Sequence, residues 1–196
     1  DVEGIDAAHK LVILASLAFA KPLSLDGLFT DGITRLETQD VAYARELGYA
    51  IKHLGIARLS EQGVELRVHP TLVPQDSLIA GVNDVANAVM VNADAVGSTL
   101  FYGPGAGSEP TASAVIADIV DLARTLNSDP KTRVPLLGRD LELLQKQAII
   151  PIDEIKTSFY MRFSALDKPG VLSEITKIMA DSGISIEAII QKEQPA

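Results

Sequence analysis

The chain has 196 residues, a length typical of one domain or two small ones. Hydrophobic residues make up 47% and charged residues 22%, so we expect a folded chain with a core. With 17 basic and 26 acidic residues the net charge is −9, which argues against nucleic acid or an anionic membrane as partner. The absence of cysteine excludes disulfides, thiolate zinc ligands and a cysteine nucleophile.

The first predicted element is a helix that Asp6 opens and Lys21-Pro22 ends. Residues 11–20 (LVILASLAFA) are apolar on every face, which is typical of a buried helix. This stretch is half as long as the roughly 20 residues that span a bilayer. Acidic residues precede it where a signal peptide carries positive charge. Because the first residue is Asp1 rather than Met, we expect the chain to be part of a longer protein.

An α+β layer is predicted next. Three- and four-residue spacing of apolar positions predicts a second helix over Thr38–Leu54, with Thr38 as its cap and Gly55 as its end. Alternating apolar and polar residues then predict two hairpins, and we expect their four strands to join the two helices in one layer. The predicted strands are Ile56–Leu59, Val64–His69, Ala88–Asn92 and Ser98–Tyr102.

A third helix, Pro110–Leu126, follows a glycine-rich loop at 103–107 (GPGAG). Residues 128–157 contain Pro130, Pro135, Gly138 and Pro151 and are predicted to be a linker. Beyond the linker, a strand at Ser158–Ser164, a helix at Val171–Ser182 and a strand at Ile184–Gln191 predict a second, smaller βαβ unit, which we expect to be truncated.

Two features are candidates for chemistry. Asp6 and Lys10 are four residues apart and share one helix face, where they are either a surface ion pair or a partly desolvated proton donor and its partner. The glycines Gly103, Gly105 and Gly107 precede a helix N-terminus, where free N–H groups favour an anion or a close ligand; a tight hairpin exit is the alternative. The histidines lack metal-ligand spacing, and we assign no metal site.

Residues 1–10 (DVEGIDAAHK) resemble the D-x-x-G-x-D-x-x-x-K segment of homoserine dehydrogenases. The resemblance covers about residues 1–127, and the last forty residues resemble the start of an ACT domain, in which Asp167 to Leu172 form the first turn and helix. Further matching motifs occur in that family's order: Ile33-Thr34, His69-Pro70, Asn87-Ala88-Val89, the GPGAG loop with Pro110-Thr111, and Ala114-Val115.

The resemblance implies reduction of L-aspartate 4-semialdehyde to L-homoserine with NADPH or NADH, on the route to threonine, isoleucine and methionine. Lys10 matches the catalytic lysine that protonates the carbonyl oxygen. Asp6 and Asp1 match acidic residues that orient the substrate amino group or Lys10. Gly103, Gly105 and Gly107 match the loop against the cofactor.

The resemblance also divides the chain into three parts. Residues 1–127 are expected to be the substrate-binding, catalytic and dimerisation domain, 128–157 the linker, and 158–196 a truncated ACT-like regulatory domain. The family's Rossmann domain lies upstream of Asp1, so we expect this chain alone to be inactive. Helix 110–126 would pack on that domain through Val115, Ile116, Ile119, Val120 and Ala123.

A cytoplasmic homodimer is expected. The alternative function is a regulatory module without catalysis, which binds an amino acid such as threonine beside Asp167 and Gly170.

Overall fold

The computed structural model describes residues 2–126, 128–129 and 146–192. Within these ranges there are four α-helices, five strands and two short 3-10 helices. The helices are α1 (Ile5–Phe19), α2 (Thr38–Glu46), α3 (Ser108–Leu126) and α4 (Val171–Asp181), with 3-10 helices at Leu78–Gly81 and Ile152–Glu154. The strands are β1 (Phe29–Thr30), β2 (Tyr49–Leu59), β3 (Val64–Pro74), β4 (Ala86–Ala93) and β5 (Gly97–Pro104).

The strands form a mixed sheet and a separate hairpin. In the sheet, β3 lies between β1, which runs parallel to it, and β2, which is antiparallel. β4 pairs with β5 alone. Both predicted hairpins and the α+β class are confirmed, but the expected single four-stranded layer is wrong. Alternating apolar and polar residues identify two strands that pair across a tight turn. They do not show whether two hairpins join in one sheet, because that depends on the direction that the chain takes through residues 75–85.

The core lies between α1 and one face of β3. Val64, Leu66 and Val68 are at most 1% exposed and pack against Ala8, Leu11 and Ala15 of the helix. The close approach requires Gly55 on β2, because a Cβ there would lie 3.3 Å from Leu11 Cδ1. This arrangement buries one stripe of α1.

Helix α1 begins as predicted, with Gly4 as its N-cap and Asp6 in its first turn, but the predicted burial of its whole surface is wrong. Ile13, Leu14 and Leu17 are exposed, so the helix is not buried on every face. A continuous apolar run predicts complete burial, but the described sheet covers only one side of the helix.

The predicted second helix ends eight residues early. Gly48 adopts φ 86°, a left-handed conformation that glycine adopts without strain, and the chain enters β2 at Tyr49. Residues Ile51 to Leu54 therefore pair with β3 instead of continuing the helix. The apolar spacing in this region fits the period of a helix and also that of a strand. Pairing with β3 makes it a strand.

Helix α3 is present as predicted and has no buried residue. The stripe expected to face another domain is exposed, with Val115, Ile116 and Ile119 each more than half accessible. No helix among the described residues is long and apolar enough to cross a membrane.

The C-terminal part contains α4 where a helix was predicted. The flanking segments Ser158–Ser164 and Ile184–Gln191 are not paired strands in the described structure, so the two strands predicted there are wrong. Of the predicted linker, 130–145 lie outside the described residues. Residues 148–150 bond to β3, with Val64 N–H donating to Ala148 O and Ile150 N–H donating to Val64 O, each at 2.9 Å.

Candidate functional site

The start of α1 is held against the sheet by Gly4. This residue is buried at φ 80°, and a Cβ there would lie 3.0 Å from Thr30 Cγ2 and 3.1 Å from the His53 ring. His53 Nε2 in turn lies 3.0 Å from the backbone oxygen of Asp31. The first turn of α1, with Asp6, is therefore placed next to Thr30 of β1 and His53 of β2.

Asp6 and Lys10 form the ion pair that their spacing predicts. Lys10 Nζ lies 2.7 Å from Asp6 Oδ2, and the side chains are 67% and 55% exposed. The hydrogen bond from Lys10 lowers the pKa of Asp6, so the carboxylate stays ionised. In this structure α1 presents the pair on an open face, which is the surface ion pair of the two alternatives. Asp1, the third predicted residue of the pocket, lies outside the described residues.

The glycine loop connects β5 to α3, as predicted. Gly103 pairs with Asn87 of β4, and Gly105 N–H donates to Val85 O at 3.4 Å. Gly105 has no space for a side chain, since a Cβ would lie 2.0 Å from Asn87 Nδ2. Gly107 follows at φ 132°, beside Pro110.

The loop borders an open groove of about 250 Å³. Two of its lining residues, Gly103 and Gly105, carry no side chain, which permits the close approach of a ligand on that side. The lining residues are Asn87, Ala88, Val89, Phe101, Tyr102, Gly103, Pro104 and Gly105. Asp6 and Lys10 belong to α1, so the two candidate groups are carried by different elements.

Asp167 and Gly170 lie at the start of α4, both exposed. Gly170 is the N-cap of α4 at φ 95°, and no atom lies within 4 Å of where its Cβ would be. The two predicted regulatory residues are therefore close in the chain and border open space.

A polar junction that the sequence analysis missed joins the C-terminal part to α2. Asp40, in the first turn of α2, is 5% exposed. Its Oδ1 accepts hydrogen bonds from Tyr160 Oη at 3.0 Å and from Arg162 Nε at 2.7 Å. Arg162 also pairs with Glu37 at 2.8 Å. We call these four residues the Asp40 junction.

The other carboxylate oxygen of Asp40 caps its own helix, where Oδ2 accepts the Glu37 backbone N–H at 3.0 Å. Burial alone would raise the pKa of Asp40, but the bonds from the Glu37 backbone, Tyr160 and Arg162 together lower it. Burial and the bond to Asp40 raise the pKa of Tyr160 to about 12. The junction is therefore an ionised carboxylate held by a neutral phenol and a guanidinium.

A second contact reinforces the junction at the far end of α2. Lys192 pairs with Glu46 and lies 5.5 Å above the centre of the Tyr43 ring. The sequence separations across these contacts exceed 110 residues, so no local pattern could reveal them. The sequence offers one signal for these contacts, which is opposite charge: acidic residues at 37, 40 and 46 and basic residues at 162 and 192.

Comparisons with known proteins agree with this geometry. The family model for homoserine dehydrogenase matches residues 1–120, and the ACT domain model matches residues 159–196. A homoserine dehydrogenase of Pseudomonas aeruginosa is 58% identical over 193 residues, and one of Neisseria gonorrhoeae is 51% identical over 192 residues. The crystal structure of a homoserine dehydrogenase from Thiobacillus denitrificans superimposes with a TM-score of 0.87 at 52% identity.

The chain belongs to the homoserine dehydrogenase family, with an ACT domain at its C-terminal end. Each of the three relatives matches 98% of this chain, and the match occupies 44% of the relative. The chain thus spans less than half the length of the proteins it matches.

The Asp40 junction predicts a late tyrosine titration. The chain has four tyrosines, and Tyr160 should ionise near pH 12 rather than near the ordinary value of 10.0. Because the folded-state pKa is raised, the stability that neutral Tyr160 contributes is complete below about pH 10 and is lost as the pH rises through 12. Tyrosinate absorbance should show this late step in the wild type.

Tyr160→Phe should remove the late step, whereas Tyr102→Phe, at an exposed tyrosine of β5, should retain it. A late step that persists in Tyr160→Phe would show that the assignment is wrong.

Proposed function

We propose that this chain carries the proton-donating and substrate-orienting residues of a homoserine dehydrogenase that reduces L-aspartate 4-semialdehyde to L-homoserine. The observation that carries the proposal is the Asp6–Lys10 ion pair at 2.7 Å, which lies within the segment that the family model matches. A biosynthetic role toward threonine, isoleucine and methionine, in the cytoplasm, follows from the same proposal.

In this reaction the aldehyde carbon gains a hydride and the carbonyl oxygen gains a proton. Lys10 Nζ donates that proton, so the negative charge developing on the oxygen is neutralised as it forms. Asp6 holds the lysine ammonium at its end of α1 and, with Asp1, orients the substrate amino group. Because Lys10 is 67% exposed, the neutral amine regains its proton from solvent.

The hydride is the contribution of bound NADPH or NADH. The residues of this chain fit such a cofactor at the glycine loop, where the groove is open and Gly103 and Gly105 add no side chain to it. Gly103, Gly105 and Gly107 would hold the edge of the cofactor there, and an upstream Rossmann domain would hold the rest. On this proposal residues 1–127 are the catalytic part, 128–157 the linker and 158–196 the regulatory part, and the chain alone is inactive.

Lys10→Ala in the full-length enzyme should lower kcat by about 10²- to 10⁴-fold, because it removes the general acid. Lys21→Ala, just beyond the other end of α1, is the matched control and should leave kcat unchanged. Steady-state kinetics with circular dichroism as a folding check distinguishes the two variants. An unchanged kcat in Lys10→Ala would contradict the assigned role.

A homodimer is the proposed assembly. The hairpin β4–β5 exposes apolar side chains along both strands, including Val89, Met90, Val91, Phe101 and Tyr102. A monomer seldom leaves a contiguous apolar surface uncovered, and a symmetric dimer is the commonest way to cover one.

Light scattering on the full-length protein at micromolar concentration should give twice the monomer mass. Val91→Glu, on β4 outside the groove, should shift the population toward monomer, whereas Glu61→Gln, in the other hairpin turn, should have no effect. A wild-type mass equal to one chain would contradict the proposed dimer.

A second function is favoured by the ACT match at residues 159–196. We propose that this part binds an amino-acid effector such as threonine, with Asp167 and Gly170 at the open start of α4 as one wall. Asp167 would receive the effector's ammonium group, and Gly170 would allow its backbone to approach.

Calorimetric titration of the full-length protein with threonine should show binding that Asp167→Ala weakens by about tenfold, the loss expected from one charge-assisted hydrogen bond of roughly 1.5 kcal/mol. Glu174→Ala, an acidic residue within the first turn of the same helix, is the control. If wild type and Asp167→Ala bind threonine with equal affinity, Asp167 does not form part of the effector site.

A further inference from the structure

Lys52 is a half-buried cation of β2 that the proposed reaction does not use. Residues of a strand alternate between faces, and Gly55 faces α1, so Lys52 lies on the opposite face of the sheet. Its ammonium donates to Val82 O at 2.6 Å and to Asn83 Oδ1 at 2.8 Å. Among the described residues no carboxylate lies within ion-pair distance of it.

The two acceptors of Lys52 belong to the turn that precedes β4. Asn83 is itself fixed, since its Nδ2 donates to Gly81 O at 3.2 Å and its backbone oxygen accepts from Ala86 N at 3.1 Å. Asp84 adopts φ 56°, an uncommon conformation for a residue with a side chain. The turn therefore has a defined shape, and Lys52 ties that shape to β2.

The same turn determines where the glycine loop lies. The backbone oxygen of Val85 accepts from Gly105 N and from Asn87 Nδ2, each at 3.4 Å. The Asn87 amide occupies the space beside Gly105. A displacement of Val85 would therefore move Gly105 and the wall of the groove with it.

Among the described residues, the hairpin β4–β5 shares few contacts with the other elements. β4 and β5 pack chiefly on each other, whereas the 3-10 helix Leu78–Gly81 before the turn contacts both β2 and β3. Beside Lys52 is a cavity of about 350 Å³, which also borders Arg45 and Gln75, so the ammonium bridges β2 and the turn beside a loosely filled space.

We propose that Lys52 is a positioning residue, which sets the glycine loop for the cofactor by anchoring the turn at Val82 and Asn83. This inference rests on the proposed function, because the loop is taken to face NADPH or NADH. Lys52 touches neither substrate nor cofactor and acts through Val85, Asn87 and Gly105.

The test compares Lys52→Met, Lys52→Arg and Asn83→Ala in the full-length enzyme. Lys52→Met should raise KM for the cofactor by about 10- to 100-fold, since small misplacements of binding groups have effects of this order. KM for the semialdehyde should change much less. Lys52→Arg keeps the donors and should recover most of the loss. Asn83→Ala removes one of the two acceptors of Lys52, together with the side-chain bond from Asn83 to Gly81, and should give a smaller rise in the same direction.

Arg58→Met is the matched control, because Arg58 lies on the same strand and the same face of the sheet but is 68% exposed and remote from the turn. It should behave as wild type. Hydrogen exchange at the Gly105 amide supplies an independent measurement, and we expect faster exchange in Lys52→Met and Asn83→Ala than in Arg58→Met.

Unchanged Gly105 exchange and unchanged cofactor KM in both Lys52→Met and Asn83→Ala would overturn the positioning role. Faster Gly105 exchange with an unchanged cofactor KM would instead overturn the assignment of the loop to the cofactor, while leaving the Lys10 assignment intact. If Lys52→Met does not fold, Asn83→Ala and Lys52→Arg decide the question by the same two measurements.

Discussion

Burial of β3 on both faces is the constraint on which the rest of the structure depends. Val64, Leu66 and Val68 contact α1, while Glu65 and Arg67 are buried on the opposite face and pair at 2.9 Å. Removing one partner from a buried pair is costly, so each of these two residues requires the other on this face of the strand. β1, β2 and residues 148–150 all take their positions from this strand.

Helix α2 lies between the C-terminal segment and the cavity beside Lys52. Its first turn carries Asp40, which holds Tyr160 and Arg162, and its last turn carries Arg45, which borders the cavity beside Lys52. One nine-residue helix therefore contacts both the ACT region and the surroundings of the turn before β4.

The sequence reveals the local parts of this arrangement and misses the distant ones. Both hairpins, α3, α4 and the Asp6–Lys10 pair follow from periodicity and spacing, because each depends on residues close in the chain. The early end of α2 was missed because Gly48 competes with an apolar spacing that continues to Leu54. The bonds of Lys52 and Asp40 join residues at least 30 positions apart, which no periodicity encodes.

The two carboxylate oxygens of Asp40 accept hydrogen bonds from different parts of the chain. One oxygen begins helix α2 and the other receives the C-terminal segment, so a single ionised side chain serves both purposes. An amide could offer an acceptor to only one side, since its nitrogen donates. Formation of the first turn of α2 and attachment of the ACT region are therefore thermodynamically linked: each event prepares the carboxylate that the other requires, and the two should form and melt as one cooperative unit.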